Sequence, residues 1–192
     1  MARSNGVILL AGTDGVIGPI DGHKLLVADD SSNPAKRKII GIAKESSLVL
    51  PAPGSMNDPT VAGATVTLSN PDTAESAAFV LPGGPEWKGL GNPAGSKGYK
   101  YKDKTGTNGP CGKLIAKPNK LVKVTCKGSA IPFTLDEATQ TSLSLGIQFG
   151  TANAQCAVFS GDLVAKDEGT SNPGPKGTFK GKKGPAPGGN CP

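Results

Sequence analysis

The chain has 192 residues, 28 of them Gly and 17 Pro. Those backbone punctuators fill about 23% of the positions, roughly double their usual share, and so exclude long helices, because Pro breaks a helix and Gly weakens it. The formal net charge is +6, and it is unevenly spread: residues 88–127 carry ten Lys and one acid, while residues 1–87 and 128–165 are each net negative. The basic residues are Lys almost throughout, with Arg only at Arg3 and Arg37. Lys is a hydrated point charge without the planar fork that reads phosphates and base edges, so specific nucleic-acid recognition is not expected. No apolar run reaches the length of a membrane-spanning helix.

Strand-like runs recur along the chain with turn residues between them. The first is the apolar run Val7–Ala11, followed by Gly12–Gly15. Next come Lys24–Ala28, Lys38–Lys44 and Ser47–Leu50, then a turn-rich stretch over 51–59. Ala64–Ser69 alternates apolar with hydroxyl side chains, and Ala77–Leu81 ends at Pro82-Gly83-Gly84-Pro85. Residues 87–96 read as an irregular loop. Gly98–Lys102 alternates Tyr with Lys. Lys113–Lys117 and Lys120–Lys127 form a hairpin about Pro118-Asn119. Ile131–Leu135, Ser142–Phe149, Ala154–Ser160, Leu163–Lys166 and Thr178–Lys180 complete about a dozen strands. Asp136–Thr141 is the one helical turn expected. This spacing predicts an all-β fold, an antiparallel β-sandwich or jelly-roll-like module with little or no helix. Residues 21–192 would form it, with 1–20 a separate N-terminal strand segment. The segment Leu26–Lys36 is echoed by Leu163–Lys176: each reads as a strand, an Asn-Pro turn and a basic strand.

Four cysteines allow three pairings. Cys111 and Cys126 flank the predicted hairpin and would close its open end. Cys156 lies in a strand-like run and Cys191 beside the C-terminus, where a bridge would tie down the tail. The expected pairs are Cys111–Cys126 and Cys156–Cys191, and they imply an oxidising compartment. The start at Met1–Ser4 has no apolar signal core, and it reads as a replacement for a removed export signal.

The segment Trp87–Pro93, the strand Tyr99–Asp103 and the run Gly112–Leu114 through Lys120–Lys123 to Cys126–Gly128 resemble a β-rich module of secreted or surface proteins of environmental bacteria. The likeness continues through Phe133–Leu135, Ser142–Phe149, Cys156 and the Pro185–Cys191 tail. It implies an extracellular β-fold and supplies no catalytic residue. The first twenty residues lie outside it.

Chemical motifs are sparse. Gly106–Lys113 has the wrong spacing for a P-loop and lacks the Ser or Thr after its Lys, and Gly89–Gly95 misses the dinucleotide fingerprint. His23 stands alone among Asp21, Asp29 and Asp30. Those carboxylates and Asp14 can offer oxygen ligands to calcium, but the ordered acidic loop is missing. No enzyme, cofactor or metal site is expected. Trp87, Lys97, Tyr99, Lys100, Tyr101, Lys102 and Lys104 are candidates for a face that binds acidic glycans or other polyanions, with aromatic rings stacking beside cations. The other reading is a strand with Tyr on one face and Lys on the other, and a Trp87 that plugs the end of a sandwich core. The strand Val7, Ile8, Leu9 and Leu10 suits addition to a neighbouring subunit's sheet edge, or pairing within its own sheet. The expected function is a non-catalytic structural subunit of a filament, sheath or adhesive layer, self-associating through strand addition. The alternative is a module for an anionic polysaccharide.

Overall fold

The computed structural model describes residues 18–152, 154–171 and 174–187. The apolar run 7–11, Asp14, Asn172, Pro173 and Cys191 therefore lie outside the described residues. The strands are β1 (Gly18–Pro19), β2 (Gly22–Asp30), β3 (Lys38–Ala43), β4 (Ala64–Ser69), β5 (Ser76–Leu81), β6 (Trp87–Gly89) and β7 (Tyr99–Lys102). They are followed by β8 (Lys113–Lys117), β9 (Leu121–Lys127), β10 (Ser142–Phe149), β11 (Gln155–Ser160), β12 (Val164–Glu168) and β13 (Lys176–Gly181). The fold is all-β and sandwich-like, as the punctuated alternating sequence predicts. A smaller sheet has the order β1-β11-β10-β4-β5, and a larger one the order β12-β13-β2-β3-β9-β8-β7-β6. Every pairing is antiparallel except the two-residue β1 beside β11.

Strand alternation sends one side chain in two toward the opposing sheet. Leu25, Val27, Ile39, Val122, Val124, Leu114, Tyr99, Tyr101 and Phe179 fill the inner face of the larger sheet. Val66, Leu68, Phe79, Leu81, Leu143, Leu145, Phe149 and Phe159 fill that of the smaller one. The sheets interlock at Gly41 of β3, where an added Cβ would collide with Leu145 Cδ2 of β10. Phe159 of β11 likewise lies over Gly22 and Gly181, where any Cβ would meet its ring. At the far end the ring of Trp87 lies 6.5 Å from Phe149 across the two layers.

Four local expectations are corrected. Ser47–Leu50 is not a strand; Leu48 is buried and its carbonyl accepts from Asn119 N. Ile131–Leu135 is extended, and Ile131, Phe133 and Leu135 are buried, but it joins no ladder. Side chains take much of its backbone: Arg37 Nη1 donates to Ile131 O, Thr134 N donates to Glu75 Oε1 and Leu135 N donates to Asp29 Oδ2, while Leu135 O accepts from Thr170 N. Residues 87–89, expected as loop, form the edge strand β6 because Trp87 has an inward site to fill. Asp136–Thr141 is not helical, since Gln140 N and Thr141 N both donate to the Asp167 carboxylate. Among the described residues the one α-helical turn is α1 (Pro59–Ala62), which begins at the end of the turn-rich stretch, with Asp58 accepting from Thr60 N at its start.

The internal echo maps to two hairpins, β2–β3 and β12–β13. They lie side by side in the larger sheet, because β13 pairs with β2.

Candidate polyanion-binding face

Pairing register lines up the outward residues of the larger sheet into rows. One row runs Lys88, Lys100, Ile115, Lys123, Ile42, Lys24. The next runs Lys102, Lys113, Thr125, Ile40, Leu26, Lys180, Lys166. A third holds Lys127, Lys38, Ala28, Thr178 and Glu168. The rows stand about 6.8 Å apart along the strands, and neighbouring strands about 4.8 Å apart. The half-buried aliphatic residues between the lysines leave room for Lys stems to lie flat over them while the ammonium groups stay in water.

Acids are scarce on this face. Among the described residues three ion pairs form: Lys36–Asp30, Arg37–Asp29 and Lys166–Glu168. None of them uses a lysine of β3 or of β6 through β9. By contrast, the strands of the smaller sheet carry no charged side chain at all.

Three shallow depressions follow one another along β8. The first, of about 450 Å³, lies among Lys97, Lys117 and Lys120 at the turn end. The second, of about 380 Å³, is lined by Lys100, Lys102, Lys113, Ile115, Lys123 and Thr125. The third, of about 510 Å³, shares Lys102, Lys113 and Thr125 with the second and adds Lys104, Gly106, Pro110 and Lys127. Its wall is the loop 103–112, which is held in shape from within. The Asp103 carboxylate accepts from Thr105 N, Gly106 N and Asn108 N. Those bonds, Asn108 foremost, hold its carboxyl below the ordinary Asp value. The disulfide Cys111–Cys126 fastens the far end of the loop to β9, and Lys127 N donates to Pro110 O beside it. This is the closure expected for the hairpin. Cys156 is disulfide-bonded as well, and its expected partner Cys191 lies outside the described residues.

The seven residues nominated for this face divide. Lys100, Lys102 and Lys104 stand together on it, and Lys97 lies at the opposite end of β7 from Lys104. The aromatic residues do not belong to it, which corrects the stacking expectation. Tyr99 and Tyr101 are each 1% exposed and Trp87 5%. Strand alternation turns all three inward, where Trp87 packs 5.1 Å from Tyr101. Trp87 Nε1 donates to Pro82 O and Tyr99 Oη to Pro51 O. Burial, reinforced by Asp58, pushes the Tyr99 hydroxyl up to about 12. The sequence places the basic face around residues 97–127, which takes in Lys113, Lys123 and Lys127, but does not show Lys24, Lys38, Lys88, Lys176 and Lys180 as members. Their signal was present as Lys alternating with apolar residues in each strand, but which strands share a sheet cannot be read from alternation.

The remaining ionisable groups are dispersed. The carboxylate of Asp29 is taken by Arg37 and Leu135 N, that of Asp30 by Ser32 and Asn33 N, and that of Asp21 by Ala186 N. Among the described residues these three carboxylates do not converge on one point. His23 is half-buried on β2, where burial and then Lys44 and Lys183 lower its pKa. An acidic group does gather beside the smaller sheet, with carboxylate oxygens of Glu75, Asp136 and Glu137 within 4.8 Å of one another. Burial raises the Glu75 pKa, and the charges of Glu137 and Asp136 add to the rise against a bond from Thr134 N.

Fold and surface together define an all-β sandwich-like protein with one cationic and one uncharged outer face. No family model, no curated protein and no solved structure matches the chain. Among the described residues no helix is long and apolar enough to cross a membrane.

Proposed function

We propose that this protein is a non-catalytic module that binds polyanions through the outward face of its larger sheet. The observation that carries the reading is that lysines with no acid partner among the described residues align in register on interior strands β9, β8 and β3. Lysines on edge strands are explained by the need to block edge-to-edge pairing, but lysines on interior strands are not. Nor does the fold require them, since the smaller sheet meets solvent with Thr65, Thr67, Ser69 and Gln148. A surface that concentrates one sign of charge raises the local concentration of the opposite one. The disulfide supports work in an oxidising, extracellular or cell-surface setting. The alternative role as a self-associating structural subunit rests on residues 7–10, outside the described residues, and the described part favours binding.

The test is retention of the full chain on sulfated, carboxylated and uncharged polymer supports. Retention is expected on the anionic supports alone. It should weaken steeply with salt, with a slope of roughly one log unit per lysine contact as counterions are released. Replacing Lys100, Lys102 and Lys113 by Thr, the residue that faces outward in β4, should weaken binding roughly tenfold or more. The thermal midpoint should not move. Absence of retention on every anionic support at low salt overturns the reading.

A further inference from the structure

Taking the polyanion reading as its basis, we infer that the ligand is a linear acidic polysaccharide lying lengthwise along β8. The three depressions supply the direction. They share one axis, from Lys97, Lys117 and Lys120, past Lys100, Lys113 and Lys123, to Lys104 and Lys127. A diffuse cationic surface has no such axis. From the row of Lys117 to that of Lys127 the strip spans six strand residues by register, roughly 20 Å at about 3.4 Å per residue. That length suits a chain of several sugar units and is excessive for a single phosphate or carboxylate.

The make-up of the strip supplies the ligand class. Single-stranded nucleic acid is held by rings that stack on bases, and base edges are read by guanidinium forks. The strip presents neither. Trp87, Tyr99 and Tyr101 point into the core. Arg37, the one arginine among the described residues, is committed to Asp29 at 2.8 Å and to Ile131 O. The strip offers instead flexible ammonium groups on both flanks of a floor containing Ile115 and Thr125. Carboxylates or sulfates projecting from the sides of a sugar chain can reach such flanks, while the C–H faces of the rings rest on the aliphatic floor.

The experiment compares two triple variants of the full chain. Lys113→Gln, Lys117→Gln and Lys123→Gln remove three charges from the strip. Lys24→Gln, Lys166→Gln and Lys180→Gln remove three from the same face away from it. Probes are oligogalacturonates of increasing length, a sulfated glycan oligomer, oligo-dT and duplex DNA of matched charge, measured by titration calorimetry at low salt. An unchanged thermal midpoint and unchanged Trp87 fluorescence establish that both variants fold. The strip variant is expected to bind the acidic glycans roughly tenfold more weakly and the off-strip variant within about twofold. Affinity should rise with glycan length until the strip is filled. Equal losses in the two variants, or DNA binding as tight as glycan binding at matched charge, overturn this inference and leave the polyanion reading standing. Failure of every polyanion to bind removes both.

Discussion

The two sheets share one inward rule and follow different outward ones. Inward, both alternate large apolar side chains, and the layers interlock at Gly41 against Leu145 and at Gly22 and Gly181 against Phe159. Outward, β4 presents Thr65, Thr67 and Ser69, whereas β8 and β9 present Lys113, Lys117, Lys123 and Lys127. Since short hydroxyl side chains suffice to solvate one sheet of this sandwich, the lysines of the other are surplus to folding. The comparison also separates two ways of carrying charge in the larger sheet. Inward, Asp29 and Arg37 are nearly buried and paired; outward, the lysines stay in water, where a lone charge costs little.

The comparison breaks if outward lysines matter to stability as much as inward groups do. The largest stability loss is expected from Asp29→Ala, which strands the Arg37 guanidinium and the Leu135 amide. Removing one partner of a buried pair costs about 3–5 kcal/mol, to be read from the urea midpoint. The Lys100/Lys102/Lys113→Thr protein should stay within about 0.5 kcal/mol of the parent in the same assay, as surface changes do. A lysine variant that unfolds as readily as Asp29→Ala would dissolve the distinction.

Next in size is the paired change Cys111→Ser with Cys126→Ser. The bridge spans 15 residues of sequence, and a closure of that length contributes about 3 kcal/mol in the chain-entropy model. Besides lowering the melting temperature, its loss should loosen the loop 103–112 and speed amide exchange at Asn108, while exchange in β4 and β10 keeps its order relative to global unfolding. That outcome would show that the wall of the third depression depends on the bridge and the smaller sheet does not.

The smallest effect is assigned to Glu75→Gln, beside the uncharged sheet. Folding raises the pKa of Glu75, chiefly through burial. The cost of its charge is therefore present above the folded pKa and is relieved as pH falls toward the ordinary carboxylate value. The substitution should raise the melting temperature by about 2 °C at pH 7, a change worth less than ~1 kcal/mol. The gain should vanish at acid pH, where the parent is neutral too. Equal gains at pH 7 and pH 3.5 would mean that packing, rather than charge, distinguishes the two side chains.

Much of the fold was legible because its signals are local. Period-two alternation marked β4, β7, β8, β9 and β10 nearly to the residue, and Cys111 and Cys126 on either side of a short turn implied their bridge. The strand reading of Ile131–Leu135 failed although its burial alternates, because a ladder needs a continuous neighbouring strand and this segment is met chiefly by the side chains of Asp29, Arg37 and Glu75. Trp87 and the two tyrosines illustrate the same limit at the site. Alternation requires Tyr and Lys to face opposite ways along β7, but it does not say which face is inside.

By itself, then, the sequence determined the class of fold, the hairpin bridge, the concentration of positive charge in residues 88–127 and the absence of charge from strands β4, β5, β10 and β11. Each follows from residue type and short-range spacing. Only the tertiary structure decided that Lys24, Lys38, Lys166 and Lys180, distant in the chain, join that basic stretch on one face, that the aromatic rings go to the core, and that the depressions align along β8. The physical reason is that a surface is a product of strand order and register, and both are set by which apolar faces pack together rather than by the outward residues they expose.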